Sequence, residues 1–507
     1  MDGLVNADPE RVAVIVGVGQ VNDRPHDPAD GREPLALMQA ALDEADRDAG
    51  GGWLRDADSV AVVQQISFRA HNPLARKVAA AIGAHPALAY ESVGPNGDSP
   101  VLLLNEAANR IARGEGRIAV VVGAETLRTA SARAAAAART DVASQNPLRT
   151  LTDAAKPGYR RQYGLSAPVD VYPLYENAAR AAWGQTLAEG QRETGELWSR
   201  FAAVAARTPA AWLHARRTPE EIVTPGADNR PIAFPYTKLT VANSSVNQGA
   251  GFIVTSLAEA RRRGVADARI VFVGRGASAH EPEDFLARDR YDASPSMTAC
   301  LQHALAWNAV DAGTLDLVEL YSCFPCVPKM ARRVIGWPLD GAATVFGGLT
   351  FGGGPIGNYM SHAVAAMVDS LRGGEGTTGL LYANGGYATH NHAIVLATHP
   401  LPGAGAPHDF NVQAAADAAR GVVPALDKDY AGAATIETYT VFYARGGSAK
   451  GGVVVARTPA GQRTLASVPA DDLALIAWLT DGVVEPVGQP GEIARAGDVS
   501  VWRRAPA

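Results

Sequence analysis

Two distant stretches of the chain carry the same order of apolar and polar positions. In the first, Val101, Leu102, Leu103, Leu104, Ala108 and Ile111 form a segment that is apolar nearly all round, ends at Gly114-Glu115-Gly116 and feeds the run "RIAVVVGAE". In the second, Met360, Val364, Met367, Val368 and Leu371 do the same, ending at Gly374-Glu375-Gly376 and feeding "TTGLLYANGG". Aligning Gly114 with Gly374 also aligns Gly97 with Gly357, each 17 residues ahead of the helix-ending glycine. The coincidence predicts duplicated βαβ-containing halves. Helices apolar on every side belong between layers rather than on a surface. Around them "RVAVIVGVG", "RIVFVGRG" and "LDLVELYSCF" read as buried strands, short runs rich in Val and Ile. The expected fold class is therefore α/β, with two sheets enclosing a pair of buried helices.

The halves are assigned to residues 1–127 and 251–402. Between them, residues 128–250 read as amphipathic helices and polar loops, including "YENAARAAWGQTLAEG" and "RFAAVAARTPAAWL", which suits an inserted lid or binding segment. The Gly/Pro-rich "LPGAGAPHDF" marks a boundary near residue 403. Beyond it, in residues 403–507, "TIETYTVFYA", "GGVVVART", "QRTLASV", "VVEPVGQ" and "DVSVW" predict a small antiparallel β-barrel.

Composition narrows the function classes. A chain of 507 residues exceeds what one core usually organises. With 47% hydrophobic and 19% charged residues it is globular, neither disordered nor collagen-like. A formal charge of -6 without long like-charge runs gives no basic field for nucleic acid or anionic membranes. Three cysteines cannot build a disulfide framework, and the first apolar run is too short for a signal peptide or a span, so a cytoplasmic protein is expected.

Several motifs could carry chemistry, and each has a plain structural alternative. Asp98-Ser99-Pro100 opens a buried helix whose free N–H groups would favour a thioester oxygen or a thiolate, or Asp98 and Ser99 simply cap it. "GVGQVN" matches only the first two glycines of a dinucleotide fingerprint, and no helix follows. Cys323 and Cys326 form a C-x-x-C without a second pair or histidines to complete a zinc site, leaving a redox pair or two buried apolar side chains. His390 and His392 are ligands, bases or loop histidines. The polar run "NSSVNQGA", with Ser245 at its centre, suits a buried turn facing backbone or ligand. Arginine clusters at Arg160-Arg161, Arg216-Arg217 and Arg261 to Arg263 suit phosphates or a solvated face.

In order, "NGDS" with its apolar helix, "GEG" and "GAE", then "NSSVNQGA", "ELYSCF", "GGGPIGN" and "YANGGYATH" resemble the active-site motifs of the thiolase superfamily over roughly residues 10 to 400, above all the sterol-carrier-protein-type thiolases. The tail resembles the additional domain of the thiolase-like protein type 1 group and the OB-like proteins that accompany some thiolase homologues. The resemblance implies an αβαβα layering, coenzyme A or an acyl-CoA as ligand, no metal and no resident cofactor, and a dimer by analogy or a monomer. It places the nucleophilic cysteine on Gly97, the Asn/His on Tyr321, the activating histidine on Gly354 and the second cysteine on Ala383. All four are changed. Glycine cannot be acylated, and neither glycine nor alanine moves a proton, so thiolysis and Claisen condensation are not expected. The expected binding set is Asn96, Gly97, Ser99, Ser245, Tyr321, Cys323, Gly354, Ala383, Asn384 and His390. Three functions remain open on sequence: an acyl-CoA binder, an acyltransferase or hydrolase with chemistry relocated to Cys323, Ser99, His390 or His392, and an interaction protein using the tail. Aromatics without basic interleaving, such as Tyr439 and Trp502, argue against nucleic acid in that tail.

Overall fold

The computed structural model describes residues 7–138 and 158–505; the part of the predicted insertion at 139–157 lies outside them. The first half contributes β1 (Ala13–Asn22), β2 (Ser59–Val62), β3 (Leu88–Glu91) and β4 (Ile118–Glu125), with helices α1 (Pro34–Asp48), α2 (Ala75–Ala81) and α3 (Ser99–Arg113). The helix α4 (Leu127–Ala138) begins the insertion, which continues through α5 (Gly158–Gln162), α6 (Pro168–Ala182), α7 (Leu187–Arg207), α8 (Pro219–Val223) and the short strands β5 (Pro231–Ala233) and β6 (Tyr236–Thr237). The strand β7 (Gln248–Ser256) then inserts between β1 and β4, antiparallel to both, so this strand sits among those of the first half.

The second half follows as α9 (Leu257–Arg262), β8 (Val271–Val273), β9 (Ala277–His280), α10 (Pro295–Trp307), β10 (Leu317–Leu320), α11 (Cys326–Ile335), α12 (Tyr359–Arg372), β11 (Thr378–Gly385) and β12 (His390–Ala397). The strand order is β10-β11-β12-β8-β1-β7-β4-β2-β3, with β9 on β12. The two expected sheets are thus continuous, joined where Val14 and Ile15 of β1 pair with Phe272 and Val271 of β8. The offset of 260 read between the glycines carries β4 onto β11 end to end.

The helices α3 and α12 pack on each other and touch strands of both halves. Strand residues alternate between this central layer and the outer helices, because successive side chains leave a strand on opposite faces. In β4, Ala119 and Val121 join the core with Leu103 and Leu104 of α3, whereas Val120 and Val122 join Leu37 and Met38 of α1. Burial on both faces explains why these strands read as unbroken apolar runs. It also explains "GVGQ". The strand β1 runs through it, and a Cβ on Gly17 would come within 2.9 Å of Ala49 Cβ and one on Gly19 within 2.7 Å of Glu44 Cβ, so these glycines let α1 approach the sheet.

In the tail, β13 (Gly432–Tyr443), β14 (Ala449–Arg457), β15 (Arg463–Val468), β16 (Pro490–Ala496) and β17 (Val499–Arg504) close a five-stranded barrel in the order β13-β14-β15-β17-β16, with β15 and β17 parallel and the rest antiparallel. The helix α13 (Leu473–Thr480) between β15 and β16 completes an OB-like layout. Two local readings change. "VVEPVGQ" is a loop, broken by Pro486 and the left-handed Gly488, and the strand begins after it. "YENAARAAWGQTLAEG" is two helices, parted at the left-handed Gly184 and restarted by a Thr186–Glu189 capping box. The barrel is fastened to the body: the fully buried Arg463 pairs with Glu437 at 2.6 Å and donates to the carbonyls of Leu286 (2.6 Å) and Arg288 (2.5 Å). The insertion joins it too, β5 pairing with β13 through Ala233 and Phe442. Among the described residues no helix is long and apolar enough to cross a membrane.

Candidate functional site

The two glycine turns meet at the centre of the molecule. Gly357, ahead of α12, lies against Pro95 of the turn ahead of α3, and both turns open into a cavity of about 550 Å³. Its floor is Asn96, Gly97 and Gly385; its walls come from Tyr321, Cys323 and Phe324 after β10 and from Leu349, Gly354 and Ile356. The insertion closes it with Pro168, Val169 and Tyr172.

Tyr172 shows how the insertion shapes the site. Its ring stacks on Phe324 with centroids 4.4 Å apart, and its hydroxyl accepts from the Ala388 N–H at 2.8 Å and lies 3.1 Å from Asn384 Oδ1. Tyr175, one helical turn on, donates to the Tyr387 carbonyl at 2.9 Å, and Tyr387 donates to Ser166 at 2.8 Å. These bonds pin the 384–388 loop, where Ala388 takes φ 57°, against α6.

Six of the ten sequence-selected residues line the cavity: Asn96, Gly97, Tyr321, Cys323, Gly354 and Asn384. The other four point elsewhere. Ser99 Oγ donates to the Gly94 carbonyl at 3.2 Å, so it serves the turn. Ser245 is exposed while its neighbour Ser244 faces the cavity. Ala383 is buried in β11 opposite His392. His390 turns away to His280, their Nδ1 atoms 2.9 Å apart, and to Glu283 at 3.3 Å. The sequence reading passed over Pro168, Val169, Tyr172 and Ile356. The proline-led, aromatic start of α6 was the available signal for the first three.

Gly97 is not an empty position. A Cβ built there would stand 2.6 Å from Tyr321 Cζ, and closer still to the Tyr321 hydroxyl and the Asn384 carbonyl. The tyrosine fills the space a nucleophile's side chain would need. Burial pushes the Tyr321 phenol well above its usual value, with Cys323 and Asp98 adding to it.

Cys323, the thiol on the cavity wall, is pushed up to about 12 by burial. At pH 7 it is therefore held as the neutral thiol. Cys326 is buried and pushed well up in the same way, so neither thiol of the C-x-x-C is a ready nucleophile or redox partner. Burial raises the Asp98 carboxyl against the pull of His390 and His280, and it holds His392 down at about 3. His392 lies 3.0 Å from Asn105 of α3, inside the core. No carboxylate, imidazole or ammonium lines the cavity among the described residues, and none of their His, Cys, Asp and Glu side chains group to hold a metal. The arrangement offers aromatic and aliphatic walls, backbone groups at two glycine turns, and un-ionised phenols and a thiol.

Comparison with known proteins agrees with this geometry. The crystal structure of a monomeric SCP2-thiolase-like protein type 1 from Mycobacterium smegmatis is 30% identical, covers 98% of this chain and 100% of its own, and superposes with a TM-score of 0.81. The chain belongs to the SCP2-thiolase-like protein type 1 family. The family model for the thiolase-like protein type 1 additional C-terminal domain matches residues 411–498, the barrel and the segment leading into it. Two remoter structures share the fold of this type 1 protein over 77% of its chain. They are the Ltp2-ChsH2(DUF35) aldolase, at 19% identity and TM-score 0.59 over 98% of that chain, and an acetyl-CoA acetyltransferase from Syntrophomonas wolfei, at 15% and 0.57 over 100%. No curated protein matches the chain.

Proposed function

We propose that this type 1 protein binds an acyl-CoA through its thioester end and acyl group in the central cavity, without thiolysis or condensation, as a monomer in the cytoplasm serving lipid metabolism. The observation that carries this is Tyr321 over Gly97: the place of the nucleophile is taken by a neutral phenol, and the cavity around it is apolar and free of a general base. Acyl transfer through the relocated Cys323 has less support, since a thiol at about 12 without a partnered base is a poor nucleophile. The buried Tyr439 and Trp502 are accounted for by the barrel's own core rather than by nucleic acid.

Calorimetric titration with CoA and a series of saturated acyl-CoAs tests the proposal. Burying one methylene contributes about 0.8 kcal/mol, so affinity rises about three- to fourfold per added CH₂ until the cavity is full. Dissociation constants above about 1 mM for the whole series, weaker than about -4 kcal/mol, would remove the ligand.

A further inference from the structure

Outside the cavity two arginines share one indole. Arg24 Cζ lies 4.2 Å from the centroid of the Trp212 ring and Arg128 Cζ 5.8 Å from it. Neither guanidinium has an ion pair among the described residues. Asp23, the carboxylate next to Arg24 in sequence, is taken by Arg32, through its side chain at 3.2 Å and its backbone N–H at 2.8 Å. The charge that bears on Arg24 is Arg128's: partial burial first, and then this like charge, hold its guanidinium below the usual value. Two cations on one ring with no carboxylate between them repel, and the indole face offsets only part of that at an open site. An anion bound between them would turn the repulsion into attraction.

Short backbone links tie the pair to segments that supply cavity-lining residues. Arg24 Nη2 donates to the carbonyls of Ala211 (3.0 Å) and Trp212 (2.6 Å), which fixes its fork. Trp212 N–H donates to Gly352 at 2.9 Å, two residues before the cavity-lining Gly354. Arg128 N–H donates to Val246 at 3.2 Å, in the turn whose Ser244 lines the cavity. One side chain of the pair is exposed and the other half-buried, so both can be reached by a ligand from outside.

We propose that Arg24 and Arg128, splayed on Trp212, are a phosphate-binding subsite that holds the phosphoester end of the ligand whose acyl group fills the cavity. The guanidinium fork matches phosphate oxygens two at a time, and stacking on the indole fixes the fork before the ligand arrives. The inference rests on the acyl-CoA reading for the identity of that ligand, although the cationic pair stands apart from it.

The test compares butyryl-CoA, S-butyryl-pantetheine, which lacks the phosphates, and adenosine 3′,5′-bisphosphate, which lacks the acyl chain. In calorimetry the wild type binds butyryl-CoA at least tenfold tighter than S-butyryl-pantetheine, and 0.5 M NaCl narrows the gap. Arg24→Gln/Arg128→Gln loses that tenfold for butyryl-CoA and leaves S-butyryl-pantetheine unchanged. Arg128→Gln alone, which keeps the Arg24 backbone bonds, loses about half of it on a logarithmic scale. If the variants keep the wild-type ratio between the two thioesters, the subsite is wrong and the cavity reading survives. If neither thioester binds but adenosine 3′,5′-bisphosphate binds the wild type and not the variant, the cavity reading is wrong and the subsite survives. If adenosine 3′,5′-bisphosphate binds both equally, the subsite is overturned.

Discussion

The two glycine turns at the heart of the molecule look alike in sequence and are glycine for different reasons. Gly357 has φ 76°, in the left-handed region, and a Cβ there would meet backbone atoms of Pro95 at 3.0 Å. The close approach of the two turns requires it. Gly97 carries no left-handed φ; a side chain there is excluded first by the Asn384 backbone carbonyl and then by Tyr321, both reaching in from the second half. One glycine answers to a left-handed turn, and the other to the Asn384 carbonyl and the Tyr321 phenol that stand in its side-chain space.

The largest effects expected from this contrast are at the two glycines themselves. Gly357→Ala pays both left-handed strain and a clash with fixed backbone, and loses about 2–4 kcal/mol in denaturant unfolding. Gly97→Ala carries no left-handed strain but meets the Asn384 backbone carbonyl more closely than Gly357 meets Pro95, and it also costs about 2–4 kcal/mol, part of it through Tyr321. The sharper measurement is the cycle: Tyr321→Ala in the same chain recovers at least 0.5 kcal/mol of that loss, whereas no coupling would show that Tyr321 does not occupy the space.

A third expectation concerns how each central helix is held by the opposite half. His392 of β12 meets Asn105 of α3, and His362 of α12 meets Gln20 of β1 at 2.8 Å. Burial holds both histidines down at about 3. The folded protein keeps them neutral while the unfolded chain takes up protons below about pH 6.5, so their stabilisation is present above that pH and is lost as the pH falls towards 3. Between pH 7 and pH 5 each contributes about 1–2 kcal/mol of acid destabilisation. His392→Asn therefore shows a smaller drop over that range than the wild type, and an equal drop would show that His392 is not buried neutral. The smallest effect is at the insertion's side of the cavity. Tyr172→Phe strands the Ala388 N–H, costs about 1 kcal/mol in unfolding and weakens acyl-CoA binding severalfold.

Much of the body was legible because backbone demands repeat. Glycine turns, helix-ending GEG and doubly buried strands recur at one offset, and the structure keeps that register from β4 to β11. The barrel was legible where Val and Thr alternate and illegible at "VVEPVGQ", where Pro486 and Gly488 break an apolar run whose Val483 is fully exposed. The site was half legible. Motif order pointed to Gly97, Tyr321, Gly354 and Asn384. That Tyr321 stands in Gly97's side-chain space is a contact across the two halves, which no local pattern encodes. Tyr172 was missed for the same reason, its partners lying on a loop of the other half. Ser245 and His390 lie outside the cavity because one step along a turn or strand reverses the direction of a side chain.

The most direct test of a pocket that holds a thioester without attacking it is intact-protein mass after prolonged incubation with butyryl-CoA at saturating concentration. The predicted result is an unmodified mass with no free CoA released; a stable butyryl adduct, on Cys323 or anywhere in the cavity, would contradict the account.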